Sequence, residues 1–224
     1  MMRFRCAAYL FAVGVVAHAS AQAPAPVPVK DEFTQLMAAF EHMPGLEASF
    51  VEHKQLGLLA QPLENRGRLY FTRPGLFLRR VESPRRSDVI ITPKEVKLRD
   101  ADGEQRIDLA SRAEVRPFVQ SLTWLLAGDH AALRSVYTIE FVPGHDQTPW
   151  QLTLTPKSDP IARLITHMRV LGTGLRVTEI QVRERSGDES ITRILEANPE
   201  RHFSRAELVS LFGVQPAKAP GGKP

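Results

Sequence analysis

The sequence predicts a mostly-β protein in which one antiparallel sheet curls around a few helices. Three observations carry that reading. About ten short runs alternate apolar and polar residues at the period of a strand, and most are joined by turns too short for a parallel crossover. Two stretches, Asp31–Met43 and Ser111–Leu126, instead repeat apolar residues at three and four. Between residues 31 and 213 there is neither an internal repeat nor a shift in composition, so a single domain is expected.

The chain opens with a segment that reads as a signal peptide. Arg3 and Arg5 form a charged start, Cys6–Ala17 is a short apolar run, and Ala19-Ser20-Ala21 offers a small-residue cleavage site. Residues 1–21 are expected to be removed near Ala21, which places the protein in the periplasm. The single cysteine, Cys6, would leave with them, excluding thiol catalysis and thiolate metal sites. The chain carries 29 Lys and Arg against 25 Asp and Glu. Without Arg3 and Arg5 the net charge is about +2, too little to argue for nucleic acid as a partner. Residues 22–30, QAPAPVPVK, form an extended proline-rich linker, and residues 214–224, rich in Pro, Gly and Lys, read as a disordered tail.

The elements follow in order. Phe33, Leu36, Met37, Phe40 and Met43 fall on one helical face, with Asp31 and Glu32 at the end where the helix dipole favours anions, and Pro44-Gly45 stops the run. Leu46, Ala48 and Phe50 alternate through the first strand. A looser loop, Gly57–Glu64, leads to the strands Arg68–Thr72 and Leu76–Val81, which flank Arg73-Pro74-Gly75. Proline has no N–H to give a central ladder and glycine tolerates a reversal, so this is a hairpin with a guanidinium at its corner. Asp88–Thr92, Glu95–Arg99 and Gln105–Leu109 continue the meander, the last pair turned by Asp102-Gly103. Ser111 and Glu114 fit a capping box for a helix through Leu126, with Gly128 as terminator. Asp129–Ser135 adds one more helical turn before strands resume at Val136–Val142 and Trp150–Thr155. Leu164–Leu171, Arg176–Arg185 and Glu189–Glu196 complete the sheet, and Ser204 caps a short helix, Arg205–Phe212.

Catalytic motifs are scarce. None of the histidines at 42, 53, 130, 145, 167 and 202 sits at a metal-ligand spacing, no Gly-x-Ser-x-Gly elbow is present, and no glycine-rich loop precedes a helix. No cofactor is expected. On spacing alone Arg73 reads first as a solvated turn charge, with a functional group as the second reading. Arg79, Arg80, Arg85 and Arg86 cluster around Glu82-Ser83-Pro84, either as a solvated hairpin end or as a basic rim for phosphate headgroups or an acidic surface.

Leu46–Gln55 (LEASFVEHKQ), Arg66–Phe77 (RGRLYFTRPGLF) and Gln151–Lys157 (QLTLTPK), in that order behind a signal peptide, resemble the LolA-type outer-membrane lipoprotein carriers. The resemblance spans most of Asp31–Phe203. It implies a strongly curved antiparallel sheet forming an incomplete half barrel, covered by lid helices, over residues 31–213. It also implies no enzymatic activity, but a periplasmic carrier that binds the acyl chains of a lipoprotein or lipid. Such a carrier, expected as a monomer, takes its cargo from an inner-membrane donor transporter to an outer-membrane acceptor. In the family the arginine of the Arg-Pro corner, here Arg73, hydrogen-bonds lid backbone and holds the empty carrier closed. Candidate lining residues for the apolar hollow are Phe50, Phe71, Leu78, Ile91, Phe118, Leu122, Leu125, Ile139, Phe141, Leu152 and Leu154. The chain departs from the pattern in placing Arg79 where these carriers often keep a tryptophan, and in lacking an aromatic-rich run over Thr92–Arg106. That departure points to a more basic mouth and to glycolipid, phospholipid or another hydrophobic product as alternative cargo. A periplasmic sensor on a related half barrel and a lipid or glycan hydrolase are the competing readings.

Overall fold

The structure, a computed structural model, describes residues 31–57, 59–111, 116–146 and 148–214. The expected signal peptide, the linker, nearly all of the tail and residues 112–115 of the capping-box segment lie outside the described residues. Ser111 itself is described, and its hydroxyl donates to the Asp108 carbonyl.

Eleven strands form one sheet: β1 (Gly45–Gln55), β2 (Leu63–Thr72), β3 (Leu76–Ser83), β4 (Ser87–Ile91), β5 (Glu95–Asp100), β6 (Gly103–Asp108), β7 (Tyr137–Val142), β8 (Trp150–Pro156), β9 (Ile165–Thr173), β10 (Arg176–Glu184) and β11 (Glu189–Asn198). Among the described residues five helices accompany them: α1 (Glu32–Glu41), α2 (Arg116–Ala127), α3 (His130–Val136), α4 (Ile161–Leu164) and α5 (Arg205–Phe212). The spatial order is β6-β5-β4-β3-β2-β1-β11-β10-β9-β8-β7, and β6 and β7 do not pair, so the sheet stays open. Two antiparallel meanders, β1–β6 and β7–β11, are joined where β1 runs against β11. The sequence reading of a mostly-β, antiparallel, unclosed sheet is what the structure shows.

One face of the sheet and the helices α1, α2 and α3 share the main core. Phe33, Met37 and Phe40 of α1 and Leu125 and Leu126 of α2 are buried in it, with Leu46, Ala48 and Phe50 of β1 and Leu152 and Leu154 of β8. The start of α1 is fixed by Asp31, whose carboxylate accepts the Thr34 N–H at 2.7 Å. Its expected apolar stripe is the face that it buries. Gly128 ends α2 at φ +75°, and a Cβ there would lie 2.4 Å from the Met37 carbonyl oxygen of α1. Only glycine lets the two helices close to that distance.

The second face of β2–β4 carries a smaller core of Tyr70, Leu78, Ile90 and Phe212, covered by α5. Here the Ser204 hydroxyl and the Glu207 carboxylate satisfy each other's backbone N–H groups, and Gly213 closes α5 in a left-handed cap. Leu78 was expected in the hollow; the structure puts it on this opposite face instead. The hairpin register explains why: Phe71 faces Phe77 and Tyr70 faces Leu78, so Phe71 and Leu78 cannot share a side. The expected loop Gly57–Glu64 also ends early, because Leu63 and Glu64 already pair with Lys54 and His53 of β1.

Candidate functional site: an apolar hollow under two braced helices

The inner face is covered unevenly. Over β7 and β8 the side chains of α1 meet the sheet directly, Phe33 against Phe141 with ring centroids 5.7 Å apart and Phe40 edge-on to Trp150 at 6.3 Å. Over β3–β6 the cover among the described residues is α2, and a cavity of about 330 Å³ remains. Its floor is Phe77, Arg79, Val89, Ile91, Val96, Leu98, Ile107 and Leu109, and its roof is Phe118, Val119 and Leu122. These floor residues fall in two cross-strand rows, Phe77-Ile91-Val96-Ile107 and Arg79-Val89-Leu98. Leu122 also borders a narrow apolar cleft of about 10 Å³ between α2 and the β1, β2, β10 and β11 strands. One leucine of α2 thus separates an open hollow from a closed seam, both with apolar walls.

Arg79 is the single charged side chain in the cavity wall. Its guanidinium lies over the Phe50 ring at 4.9 Å and donates to Glu52 at 2.7 Å. The Glu52 carboxylate accepts a second bond, from the Asn65 amide. The stem of Arg79 can therefore line apolar space while its charge is met beside the hollow.

Arg73 ties the two covering helices together. From the β2–β3 corner its Nε donates to the Met43 carbonyl at 3.1 Å, and one terminal nitrogen donates to the carbonyls of Phe40 at 2.7 Å and Ala127 at 3.2 Å. These acceptors lie in the last turn of α1, just beyond it, and at the last residue of α2. Carbonyls at a helix C-terminus have no intrahelical partner, and a forked donor satisfies several at once. Gly75 of the same corner, at φ +99°, lies beside α2, since a Cβ there would sit 3.4 Å from the Thr123 methyl. Further along α2, the Ser121 hydroxyl donates to Pro117 and meets the Tyr137 hydroxyl at 2.6 Å. Burial pushes the Tyr137 phenol above its usual range, against the Ser121 hydrogen bond, which lowers it.

Of the residues expected to line the hollow, Ile91, Phe118 and Leu122 border the cavity. Phe50, Phe71, Leu125, Leu152 and Leu154 lie in the main core, at most 1% exposed. Ile139 and Phe141 are half-buried beside α1, on the rim of a shallow groove near Asp31 and Arg134. Sequence reasoning missed Phe77, Val89, Val96, Leu98, Ile107, Leu109 and Val119. The signal was present in strict alternation: once Phe71 is placed inside, the hairpin puts Phe77 opposite it, and Ile91, Val96 and their alternate neighbours follow. Among the described residues no cluster of three or more His, Cys, Asp or Glu is placed to hold a metal ion. No helix among them is long and apolar enough to cross a membrane.

The family model described as outer membrane lipoprotein carrier protein LolA matches residues 41–207, which includes β1–β11, α2 and the Arg73 corner. An outer-membrane lipoprotein carrier protein of Chromohalobacter salexigens is 33% identical over 128 residues, covering 55% of this chain and 57% of that relative. The chain thus spans a little over half the length of this curated relative. Among solved structures, a LolA superfamily protein from Nitrosomonas europaea aligns over 76% of this chain and 94% of its own, at 10% identity and a TM-score of 0.42. The MucA/MucB complex of Pseudomonas aeruginosa aligns over 74% of this chain and 55% of the other, at 12% identity and a TM-score of 0.43. With the family model matched along most of its length, the chain belongs to the family of outer membrane lipoprotein carrier protein LolA.

Proposed function

We propose that this protein is a periplasmic carrier that holds acyl chains of a lipoprotein or lipid in the hollow between α2 and β3–β6. On this reading it moves them from an inner-membrane donor to an outer-membrane acceptor without covalent chemistry. The observation that carries the reading is a cavity of about 330 Å³ with apolar walls, roofed by a helix whose far end is held by one arginine. Such a volume falls within the roughly 300–1,000 Å³ of small-molecule sites. Each methylene moved from water into it contributes about 0.8 kcal/mol, so a few carbons already give useful affinity and a whole chain needs more room. That room lies in the seam beyond Leu122, which opens only if α2 moves away from the sheet.

Arg73 is the proposed brace. Its three hydrogen bonds exist while the C-terminal ends of α1 and α2 stay together, so they stabilise the closed, empty state over an open, loaded one. A cargo enters by offsetting that difference with buried apolar area, and the same difference helps expel it when an acceptor competes. The N-terminal segment supports export to the periplasm, with cleavage near Ala21, and the protein is taken to act as a monomer.

The test is binding of a fluorescent fatty-acyl probe, together with mass spectrometry of lipid carried through gentle purification. Leu98→Glu, in the cavity floor, should abolish probe binding while the strand signal in circular dichroism persists. Leu195→Glu, at an exposed β11 position, should bind like the parent. Equal binding by all three proteins, or a parent that takes up no probe, would sink the proposal.

A further inference from the structure

The register brings five connections to one end of the sheet, opposite the Arg73 corner. Lys54 faces Leu63, Val81 faces Ser87, Asp100 faces Gly103, Glu184 faces Ile165 and Arg183 faces Glu189. Residues 56–57, 59–62, 84–86, 101–102, 157–164 and 185–188 therefore project together. Three of the six large apolar side chains that stand exposed among the described residues are here: Leu59, Leu63 and Leu164.

Charge is arranged at the same end. A groove of about 440 Å³ is floored by Arg80 and Asp88, which form a two-pronged pair at 2.9 Å, and rimmed by Arg85, Arg86, Arg99 and Asp100. Arg85 pairs with Asp102, Arg99 with Glu104, Arg66 with Glu64 and Arg163 with Asp159. The guanidinium groups of Arg86 and Arg185, both exposed, meet no acceptor among the described residues. The groove lies on the outer side of β3–β5, back to back with the apolar cavity, one residue across the pleat from the row Arg79-Val89-Leu98.

We propose that this end of the sheet docks on an anionic phospholipid surface. The loop leucines enter the headgroup layer, and the groove at Arg85, Arg86 and Arg99 receives a lipid phosphate. Leucines and arginines spread over separate loop tips suit a broad planar partner, since apolar side chains reach the acyl boundary while guanidinium groups stay level with phosphate. Arg donors also match phosphate oxygens in pairs. The inference does not depend on what fills the hollow.

Sedimentation of the purified protein with vesicles tests it. Binding is expected to vesicles containing anionic phospholipid, to weaken with salt, and to be much weaker on purely zwitterionic vesicles. A basic residue near an anionic surface contributes roughly fivefold in partitioning. Arg85→Gln with Arg86→Gln should therefore cost about tenfold or more, while Arg176→Gln, at the opposite end, should cost nothing. Leu59→Ser with Leu63→Ser should lower the binding that survives in high salt. A parent that ignores anionic vesicles overturns the proposal, and so does an Arg176→Gln loss as large as that of the groove pair. Groove variants that keep vesicle binding but lose a soluble polyglutamate probe would overturn it in favour of an acidic protein partner. Loss of inorganic phosphate binding alone would reduce the groove to a free-anion site.

Discussion

Over β7 and β8 the inner face of the sheet meets α1, and Leu152, Leu154 and Val170 of β8 and β9 are wholly buried. Over β3–β6 a largely apolar surface meets, among the described residues, α2, and Val89, Leu98 and Ile107 remain half-buried around a cavity. The residue types are alike, so composition does not separate the two regions. What differs is how closely the covering helix packs on each. The filled half has the dispersion contacts and burial that hold the fold, whereas the open half forgoes part of that stabilisation and keeps a cavity.

Several measurements would break or sharpen this contrast. Phe40→Ala, in the filled half, removes a fully buried ring between α1 and Trp150 and should cost about 3–5 kcal/mol in denaturant unfolding. Phe118→Ala, on the cavity roof, should cost far less and show itself in acyl-probe affinity. Equal stability losses would mean that the open half is ordinary core.

Arg73→Leu removes bonds from a charged donor, each worth roughly 1.5–3 kcal/mol when intact. If only about 1.4 kcal/mol of this separates closed from open, probe affinity rises about tenfold and release to competing vesicles slows. Arg73→Lys should fall between, because an ammonium lacks the fork. An Arg73→Leu protein that binds and releases like the parent reduces the arginine to a structural tie. A smaller effect is expected from Leu122→Ala, which joins the cavity to the narrow cleft. It should favour longer acyl probes over shorter ones, and an unchanged preference would place the chain elsewhere.

The smallest effect is electrostatic. Asp31, at the start of α1, is held below the usual carboxylate range by the Thr34 N–H, and Glu104, on edge strand β6, by hydrogen bonds from Arg99 and then Arg106. Lowered folded-state values mean that their contribution is present above the unfolded carboxylate range, near pH 4, and is lost as pH falls through the folded values. Both groups are exposed, so Asp31→Asn and Glu104→Gln should only shallow the acid limb of a stability–pH curve. A steeper acid limb in either variant contradicts the sign.

Much of the fold was legible because it is local. The period-two runs, the Asp102-Gly103 turn, the Arg73-Pro74-Gly75 corner and the Ser204 cap each specify backbone geometry within a few residues. Leu63 and Glu64 carry the local pattern of a loop, because their strand character comes from pairing with β1 rather than from their own sequence. The side that Leu78 faces is hidden from the sequence for a related reason. In β3 the adjacent residues Phe77 and Leu78 are both apolar, because helices cover both faces there, and alternation alone does not say which faces α2.

The sequence by itself determined a mostly-β antiparallel chain with one guanidinium at a hairpin corner, since strand period, turn residues and proline's missing N–H act over short range. Only the tertiary structure decided that this guanidinium meets carbonyls 30, 33 and 54 residues away in sequence. It also decided that α1 fills one half of the sheet while the other half keeps a cavity. Those outcomes depend on how separate helices divide one apolar surface. Packing over long sequence distances sets that division, and no single segment encodes it.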